Sequence, residues 1–450
     1  MLIKTLKVAG AAVLTGALLA GCTGRTSDNG GNNGNSNAGT DANKPPEPVE
    51  LVVYYYGGSY GEERFMQSYG NDIVKKYPHM ELKFMQGSTG GGTEGLPLAD
   101  AIATKMPIDV MYGSVEQIPE SLIRYDLAYD HGELIKKNRY DLSHLNANVV
   151  AAHKSITGGP IYGLPVGADV LKFLYNRDLF DKFGVPYPKD GMTWDEVYEL
   201  AKRLSRTDNG IRYRGAAISF EYVSRLNQFG VGFVDPQTSK PLFTTDDRWK
   251  RLAELFSRFY QIPGNEVDSK TVSFGSQHTA FTTGGTVAMD FTLNVLNDLW
   301  TVNWDLAKFP VFPGNPAGSG RSGGNFFAVT SISKNKDEAF KLTSYLTSRE
   351  YQLKHSALGT MGVLNDPEMK TIYGRDVPWM QERKINLEAL FPEAYAEQYP
   401  ITTYDKIARD EFVKQMNGLV TGAVTDVNTA LRDAAESAAK LIETAKTQTK

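Results

Sequence analysis

Histidines and carboxylates are the side chains of this 450-residue sequence that could carry acid–base, nucleophilic or metal chemistry. The six histidines are scattered, and none forms a helical His-x-x-x-His pair: His79, His131, His144, His153, His278 and His355. The sequence also lacks a Gly-x-Ser-x-Gly nucleophile elbow, a phosphate-binding P-loop and a Gly-x-Gly-x-x-Gly fingerprint. Carboxylates are plentiful, so the sequence does not exclude a pair of carboxylates that hydrolyses glycosides. The pattern favours a binding protein over an enzyme.

The single cysteine, Cys22, follows a pattern typical of export signals. Lys4 and Lys7 give a positive start, and the apolar run Val8–Leu19 is too short to remain as a membrane-spanning helix. The four residues that end at Cys22, Leu-Ala-Gly-Cys, resemble the lipobox of bacterial lipoproteins, in which the cysteine becomes the lipidated N-terminus. The resemblance implies a signal peptide over residues 1–21 and acyl chains on the cysteine. We therefore expect a lipid anchor at the extracytoplasmic face of the cell membrane, or in the periplasm or outer membrane where the cell has one.

One cysteine permits no internal disulfide, so the fold depends on its hydrophobic core. The composition, 41% hydrophobic and 22% charged, is typical of a globular protein, and 450 residues are enough to form two lobes. The net charge of −4 disfavours a nucleic-acid partner, which would require a basic surface. After Cys22, residues 23–48 are dominated by Gly, Asn, Ser, Thr and Asp and end in a Pro-rich stretch, which predicts a disordered tether over residues 22–48.

Strand and helix patterns alternate from Val49 onward, which predicts a parallel α/β sheet. Val49–Tyr56, Glu81–Phe84 and Ile108–Tyr112 are predicted strands, with helical patterns between them. Since side chains alternate along a strand, Tyr54 and Tyr56 are expected on one face of the first strand and Tyr55 on the other.

Two helices further along the chain have clear boundaries. Thr193 and Glu196 have the spacing of a capping box, and apolar residues then recur at helical spacing up to Leu204. A long amphipathic helix is predicted near the C-terminus, with Thr425 or Asp426 as its cap.

Four segments, taken in order, resemble the extracellular solute-binding proteins of ABC sugar importers, the family of maltose-binding protein. They are residues 162–204, with Leu-Pro-Val-Gly at 164–167 and Thr-Trp-Asp-Glu at 193–196; 281–289, which has the Phe-x-x-Gly-x-x-Ala-Met element in a closely similar form; 304–310, with Trp304-Asp305 and Phe309-Pro310; and 323–346, which opens with Gly-Gly-Asn and continues to Ser-Lys-Asn-Lys-Asp at 333–337. Their order and spacing cover most of the chain from Leu51 to Leu441.

The resemblance implies a two-lobed α/β fold of the periplasmic-binding-protein-like type II, with hinge crossings between the lobes. The crossings are expected near Val166–Asp169, Asn325–Val329 and Met361–Leu364. The first lobe would then consist of residues 49–167 and 330–362, and the second lobe of residues 168–329 and 363–450.

Ligands of open parallel α/β sheets bind beyond the carboxyl ends of the strands. This rule nominates residues that follow the first and third strands: Gly58, Ser59, Tyr60, Ser114 and Glu116. Positions near the crossings and in the second lobe add further candidates, among which Phe291 is the nearest substitute for a stacking Trp that many relatives carry. These are Asp169, Glu221, Tyr222, Asp290, Phe291, Asn294, Asn325, Trp379 and Tyr404.

Aromatic faces suit the C–H groups of a sugar ring, and carboxylates or amides suit its hydroxyls, so an oligosaccharide is the leading ligand class. The resemblance implies a monomeric, non-enzymatic binder, without cofactor or metal, that delivers its ligand to the permease subunits of an ABC transporter. The alternatives are a ferric-iron binder with tyrosine ligands and a surface enzyme that acts on polysaccharide. Alternation along the first strand argues against the tyrosine triplet as one iron cluster.

Overall fold

A computed structural model describes residues 46–57, 61–88, 95–293, 296, 300–315, 320, 323–397 and 399–448. The strands are β1 Val49–Tyr55, β2 Met80–Ser88, β3 Leu96–Pro97, β4 Val110–Ser114, β5 Leu164–Pro165, β6 Lys172–Asn176, β7 Arg206–Asp208, β8 Ile211–Tyr213, β9 Ala217–Ile218, β10 Met289–Thr292, β11 Trp304–Ala307 and β12 Asn325–Val329.

The α-helices alternate with these strands and are longest near the C-terminus. They are α1 Glu62–Phe65, α2 Asn71–Lys76, α3 Leu98–Ala103, α4 Gly132–Lys137, α5 Ala147–Thr157, α6 Arg177–Phe183, α7 Trp194–Leu204, α8 Phe220–Arg225, α9 Asp247–Arg258, α10 Phe274–Thr282, α11 Lys336–Tyr345, α12 Arg349–Ala357, α13 Glu368–Ile372, α14 Pro378–Arg383, α15 Asp405–Val420 and α16 Val427–Gln448. No helix among the described residues is both long and apolar enough to cross a membrane.

The first lobe is built on a six-stranded sheet in the order β3-β2-β1-β4-β12-β5. Strands β1 to β4 run parallel, as the sequence predicts, and β12 lies antiparallel between β4 and β5. The pleat of β1 places Leu51 and Val53 in one apolar cluster and Tyr54 in the cluster on the opposite face. Tyr56 packs with Tyr54, and Tyr55 packs on the other face, so the predicted division of the tyrosine triplet is confirmed.

The second lobe is built on a four-stranded sheet in the order β11-β6-β10-β9, beside the small hairpin β7–β8. Strand β10 runs antiparallel to β6 and parallel to β9. Helix α7 packs on this sheet through Trp194, which is 1% exposed. Its predicted capping box is present: the Thr193 hydroxyl accepts the N–H of Glu196, whose carboxylate accepts the N–H of Thr193 at 2.7 Å. Of the two predicted caps of α16, Asp426 accepts the N–H of Thr429.

The lobe boundaries differ from the sequence-based division at two places. Strand β12, which that division gives to the second lobe, completes the first sheet because Phe326–Val329 are fully buried there against β4 and β5. Tyr399 and Ile401 also pack in an apolar cluster of the first lobe, although α15 and α16, which follow them, pack on the second. The crossing before β12 therefore lies at Gly323 and Gly324.

The three crossings meet as neighbouring backbones. Val166 donates its N–H to the Asn325 carbonyl at 2.9 Å, and Ala168 donates to the Met361 carbonyl at 3.0 Å. A Cβ on Gly324 would lie 1.9 Å from the carbonyl oxygen of Gly167, so only glycine permits this approach. The short backbone contacts make these crossings the natural axis for lobe movement.

A buried glutamine joins the first and third crossings. The side-chain amide of Gln352 donates to the Val166 carbonyl at 3.0 Å, and its oxygen accepts the N–H of Val363 at 2.9 Å. Because Gln352 is only 2% exposed, these bonds satisfy groups that water does not reach.

Candidate functional site

A cavity of about 130 Å³ lies between the two lobes. The first lobe contributes the turn that follows β4, and the second contributes the end of α8 and the first turns of α15. The segment before α15, which contacts both lobes, completes the lining. The lining mixes carboxylates, cationic groups and hydroxyls with two aromatic rings. It consists of Ser114, Glu116, Gln117, Glu120, Arg225, Phe233, Tyr399, Ile401, Thr402, Thr403, Asp405, Lys406 and Arg409.

An ion pair crosses the cavity from one lobe to the other. The Oε2 atom of Glu116, in the turn after β4, lies 3.2 Å from the Nε atom of Arg225, the last residue of α8. The two side chains are 9% and 20% exposed, respectively. Burial opposes the charge on Arg225, but the carboxylates of Glu116 and Asp169 outweigh it and raise the pKa of the guanidinium.

A second acid–base set lies beside this pair, close to the crossings. Burial raises the pKa of Asp169, and the positive charges of Arg225 and Lys172 oppose that rise. Burial lowers the pKa of the Lys172 amine to about 8, and Asp169 opposes that fall. The Lys172 ammonium donates to the Leu293 carbonyl at 3.2 Å. Two carboxylates and two cations therefore lie close together between the lobes.

The second lobe adds an aromatic group near the carboxyl end of β9. Tyr222, in α8, meets the edge of Phe274 at 4.9 Å between ring centroids. Phe274 stacks on His278 at 5.4 Å, and His278 meets Trp300 edge-on at 5.3 Å. The imidazole Nδ1 of His278 lies 2.6 Å from Oδ2 of Asp290, which is fully buried on β10.

Several of the residues predicted from the sequence lie at this cavity or beside it. Ser114 and Glu116 line it, and Asp169 interacts electrostatically with both members of the ion pair. Tyr222 lies beneath the Arg225 guanidinium, 5.7 Å from its ring centroid. Glu221 is exposed in the first turn of α8.

Other predicted residues have structural surroundings that correct their expected role. Phe291 is fully buried, stacked on Phe173 at 4.7 Å and packed on Trp194, so its ring is core and not a stacking platform. Asp290 is enclosed as well and contacts His278. Its carboxylate therefore does not line the cavity.

The remaining predicted residues that the structure describes do not line the cavity. The backbone of Asn325 belongs to the hinge, Trp379 packs on Trp304, and Tyr404 lies beneath Lys446 between two residues that line the cavity. Gly58, Ser59, Tyr60, Asn294 and Cys22 fall outside the described residues.

The sequence reasoning missed Arg225, Arg409 and His278. Arg225 lies one helical turn beyond Tyr222, so the i, i+3 spacing could have identified it once that tyrosine was chosen. His278 lies three residues before the Phe-x-x-Gly element, and only folding brings it to Asp290. Among the described residues, no group of three or more His, Cys, Asp or Glu side chains is arranged to hold a metal ion.

Two α/β lobes, three adjacent crossings and a polar cavity between the lobes define a hinged, two-lobed binding protein. The chain belongs to the bacterial extracellular solute-binding protein family, whose model matches residues 57–353. The family and its type II fold are those of transport proteins that bind solutes, not of enzymes.

Solved structures of low sequence identity share this fold. An ABC substrate-binding protein of Listeria monocytogenes in complex with cycloalternan matches with a TM-score of 0.68 and 18% identity, over 88% of this chain and 100% of that one. A sugar transporter protein of Rhizobium etli in an open conformation matches at 0.67 and 20%, over 87% and 99%. A maltose-bound protein of T. maritima matches at 0.62 and 19%, over 87% and 100%.

Sequence relatives match over a shorter stretch. A mannitol-binding protein of Pseudomonas aeruginosa is 27% identical over 208 residues, which are 43% of this chain and 46% of that protein. An ABC transporter extracellular-binding protein of Pyrococcus horikoshii is 21% identical over 245 residues, 51% and 52% of the two chains. This chain thus spans about half the length of the relatives that it matches by sequence.

Proposed function

We propose that the protein captures a neutral carbohydrate, with an oligosaccharide as the leading candidate, between its lobes and delivers it to the permease of an ABC transporter. The observation that carries this proposal is the balanced charge of the cleft, where Glu116 and Asp169 lie beside Arg225 and Lys172. A neutral ligand rich in hydroxyls can hydrogen-bond both signs of charge without leaving either one uncompensated. Structures that share the fold hold maltose, D-mannitol, tagatose and ribitol, which are all neutral polyhydroxy compounds.

A thermal-shift screen tests the ligand class. Mono-, di- and oligosaccharides and sugar alcohols are added to the folded protein, and a ligand that binds only the folded state raises the melting temperature. Calorimetry then measures the dissociation constant of each hit. A panel without hits, tight binding of ferric iron, or turnover of any glycan would contradict the proposal.

The site residues are tested by substitution with the hit from that screen. Asp169→Ala should weaken binding by about 1–3 kcal/mol, because a polar ligand group is left without its partner in an enclosed site. Glu199→Ala is the control, since this carboxylate is exposed on α7 and does not line the cavity. Equal affinities for the wild type and Asp169→Ala would remove Asp169 from the site.

We also propose that the protein is a monomeric lipoprotein, held at the membrane through acyl chains on Cys22. The lipobox-like sequence and the polar composition of residues 23–48 support this anchor. Cys22→Ala should appear in the medium or remain unprocessed, as judged by membrane fractionation and mass spectrometry. A processed, membrane-bound variant would contradict the proposal.

A further inference from the structure

We infer that His278 contacts the ligand from the second lobe and that Asp290 acts through it as a positioning residue. The inference rests on the proposed function, since it assigns a role in the same cleft. The position of the His278 side chain depends on how α8, α10 and β10 pack together.

The topology of the second lobe places the start of α10 beside α8, which follows the carboxyl end of β9. Strands β9 and β10 run parallel, and α8 begins directly after the carboxyl end of β9. Tyr222 on α8 contacts Phe274 at the start of α10, and His278 lies one turn further along, stacked on Phe274. The same helix α8 ends at Arg225, which lines the cavity, so His278 is joined to the cavity wall through two aromatic contacts.

The contact with Asp290 determines which nitrogen of the imidazole faces outward. When Asp290 is ionised, its carboxylate only accepts hydrogen bonds, and Nδ1–H of His278 then donates to Oδ2 across the 2.6 Å contact. In the neutral ring, Nε2 is then left as an acceptor with a fixed direction. Among the described residues, Nε2 of His278 makes no hydrogen bond, and the side chain is 14% exposed. A ligand hydroxyl is a suitable donor for it.

The surroundings of Asp290 show why this arrangement is more than packing. Its side chain is fully buried, and Oδ1 has no hydrogen-bond partner among the described residues. Burial raises the pKa of this carboxyl, while the hydrogen bond from His278 and the charges of His278 and Arg214 oppose the rise. A buried carboxylate with one unsatisfied oxygen is costly to stability, which is typical of a group retained for function.

Two variants separate ligand contact from structural support. His278→Asn keeps an N–H near the position of Nδ1, so the bond to Asp290 survives while the Nε2 acceptor is lost. Asp290→Asn can donate to Nδ1 and thereby move the ring proton to Nε2, which turns the acceptor into a donor. Thr279→Ala, at an exposed neighbouring position on α10, is the control.

The probe is the sugar or sugar alcohol that stabilises the wild type most among maltose, D-mannitol, D-tagatose, ribitol and a malto-oligosaccharide series. Calorimetry should give dissociation constants raised about tenfold in His278→Asn and in Asp290→Asn, and unchanged in Thr279→Ala. Melting temperatures of the ligand-free His278→Asn protein should stay near that of the wild type. Nitrogen-15 spectra of histidine-labelled protein, assigned by loss of the signal in His278→Asn, should show a protonated Nδ1 and an Nε2 shift that changes on binding.

The outcomes distinguish this inference from the function on which it rests. A probe that binds wild type and His278→Asn equally, or a ring protonated at Nε2 in the free wild type, would overturn the role of His278 and leave sugar binding intact. A wild-type protein that binds none of these probes would overturn both the inference and the proposed carbohydrate specificity.

Discussion

Glu116 and Arg225 form an ion pair between the lobes, and each loses much of its contact with water there. Glu116→Gln keeps the shape and removes one charge, which leaves the Arg225 guanidinium with less compensation. Because the pair is partly exposed, we expect a loss of about 1–2 kcal/mol, below the range for fully buried pairs. Urea unfolding of the ligand-free protein measures this change.

The matched control is Glu254→Gln on α9, where the carboxylate is 3.9 Å from Lys250 and both side chains are about half exposed. An exposed pair of this kind contributes less than about 0.5 kcal/mol. Equal unfolding midpoints for the two variants would show that the pair between the lobes contributes no more than a surface pair.

Two buried histidines of the first lobe predict acid sensitivity. His153 accepts the N–H of Tyr162, and His131 accepts the N–H of Val329. Burial lowers their pKa values from 6.5 to about 3 and about 4. The unfolded chain therefore binds protons between pH 6.5 and 4 that the folded chain does not, and stability falls as the pH falls through that window.

From pH 7 to pH 5, each of these histidines should lower the free energy of unfolding by about 2 kcal/mol. His153→Gln keeps an acceptor for the Tyr162 N–H and removes one titrating group. Urea unfolding at both pH values should thus show a smaller loss in the variant than in the wild type. Identical losses would show that His153 titrates normally in the folded protein.

Which individual residues lie at the candidate site could be predicted from the sequence only in part. The positions of Ser114, Glu116 and Asp169 at or beside the cavity could be predicted because strand ends and crossings can be located from local pattern. The prediction that Phe291 replaces the stacking Trp of many relatives was wrong, because a matching sequence position does not determine whether a side chain is buried. The ring of Phe291 packs between Phe173 and Trp194. The partnership of His278 with Asp290 joins two elements whose packing no local pattern encodes.

At the scale of elements, helix boundaries and parallel strands were predictable since caps and periodicity are local. The placement of β12 was not, because an apolar strand fits either sheet until its partners are known. Its four buried residues, Phe326–Val329, complete the first sheet between β4 and β5. The approach of Gly324 to Gly167 likewise depends on the meeting of two distant segments.

This approach makes Gly324 a sensitive position in the hinge. Gly324→Ala would place a Cβ 1.9 Å from a carbonyl oxygen, at a φ of +139° that favours glycine. We expect a loss of about 2 kcal/mol or more in the free energy of unfolding, since the crossing must shift or strain. Calorimetric melting or urea unfolding checks this value.

Gly275→Ala on α10 is the control, because a Cβ there meets no atom within 4 Å and alanine favours a helix. This variant should be unchanged or stabilised by up to about 1 kcal/mol. A Gly324→Ala protein as stable as Gly275→Ala would show that the hinge tolerates separation of these backbones.

At the scale of the whole molecule, Tyr399 ties both lobes to the segment that precedes α15. Its hydroxyl donates to the Arg225 carbonyl at 3.1 Å, and its own carbonyl accepts the Ser155 hydroxyl of α5 at 3.3 Å. The ring also packs on Gly232, 3.2 Å from where a Cβ would stand. One side of the cleft is therefore bordered by a segment that contacts both lobes, and movement about the crossings must carry it along.

We expect ligand contacts on both lobes to be complete only when the lobes are closed, so binding should shift the population toward the closed form. Small-angle scattering with a saturating sugar, confirmed as bound by calorimetry, should give a smaller radius of gyration than the free protein. The free Glu116→Gln protein should have a radius at least as large as that of the free wild type, since it lacks one contact between the lobes. Superimposable curves with and without bound sugar would favour a rigid, preformed site.

The ion pair across the cleft would compete with a ligand in the proposed binding site. A hydroxyl that binds at Oε2 of Glu116 or at Nε of Arg225 replaces the 3.2 Å contact that these two atoms make with each other. The binding free energy is then the difference between the hydrogen bonds that the solute forms with these side chains and the ion-pair contact that it replaces. A complementary shape alone is therefore insufficient for binding. We therefore expect solutes of the right size whose hydroxyls point elsewhere to bind more weakly, because they cannot replace the contact between Glu116 and Arg225.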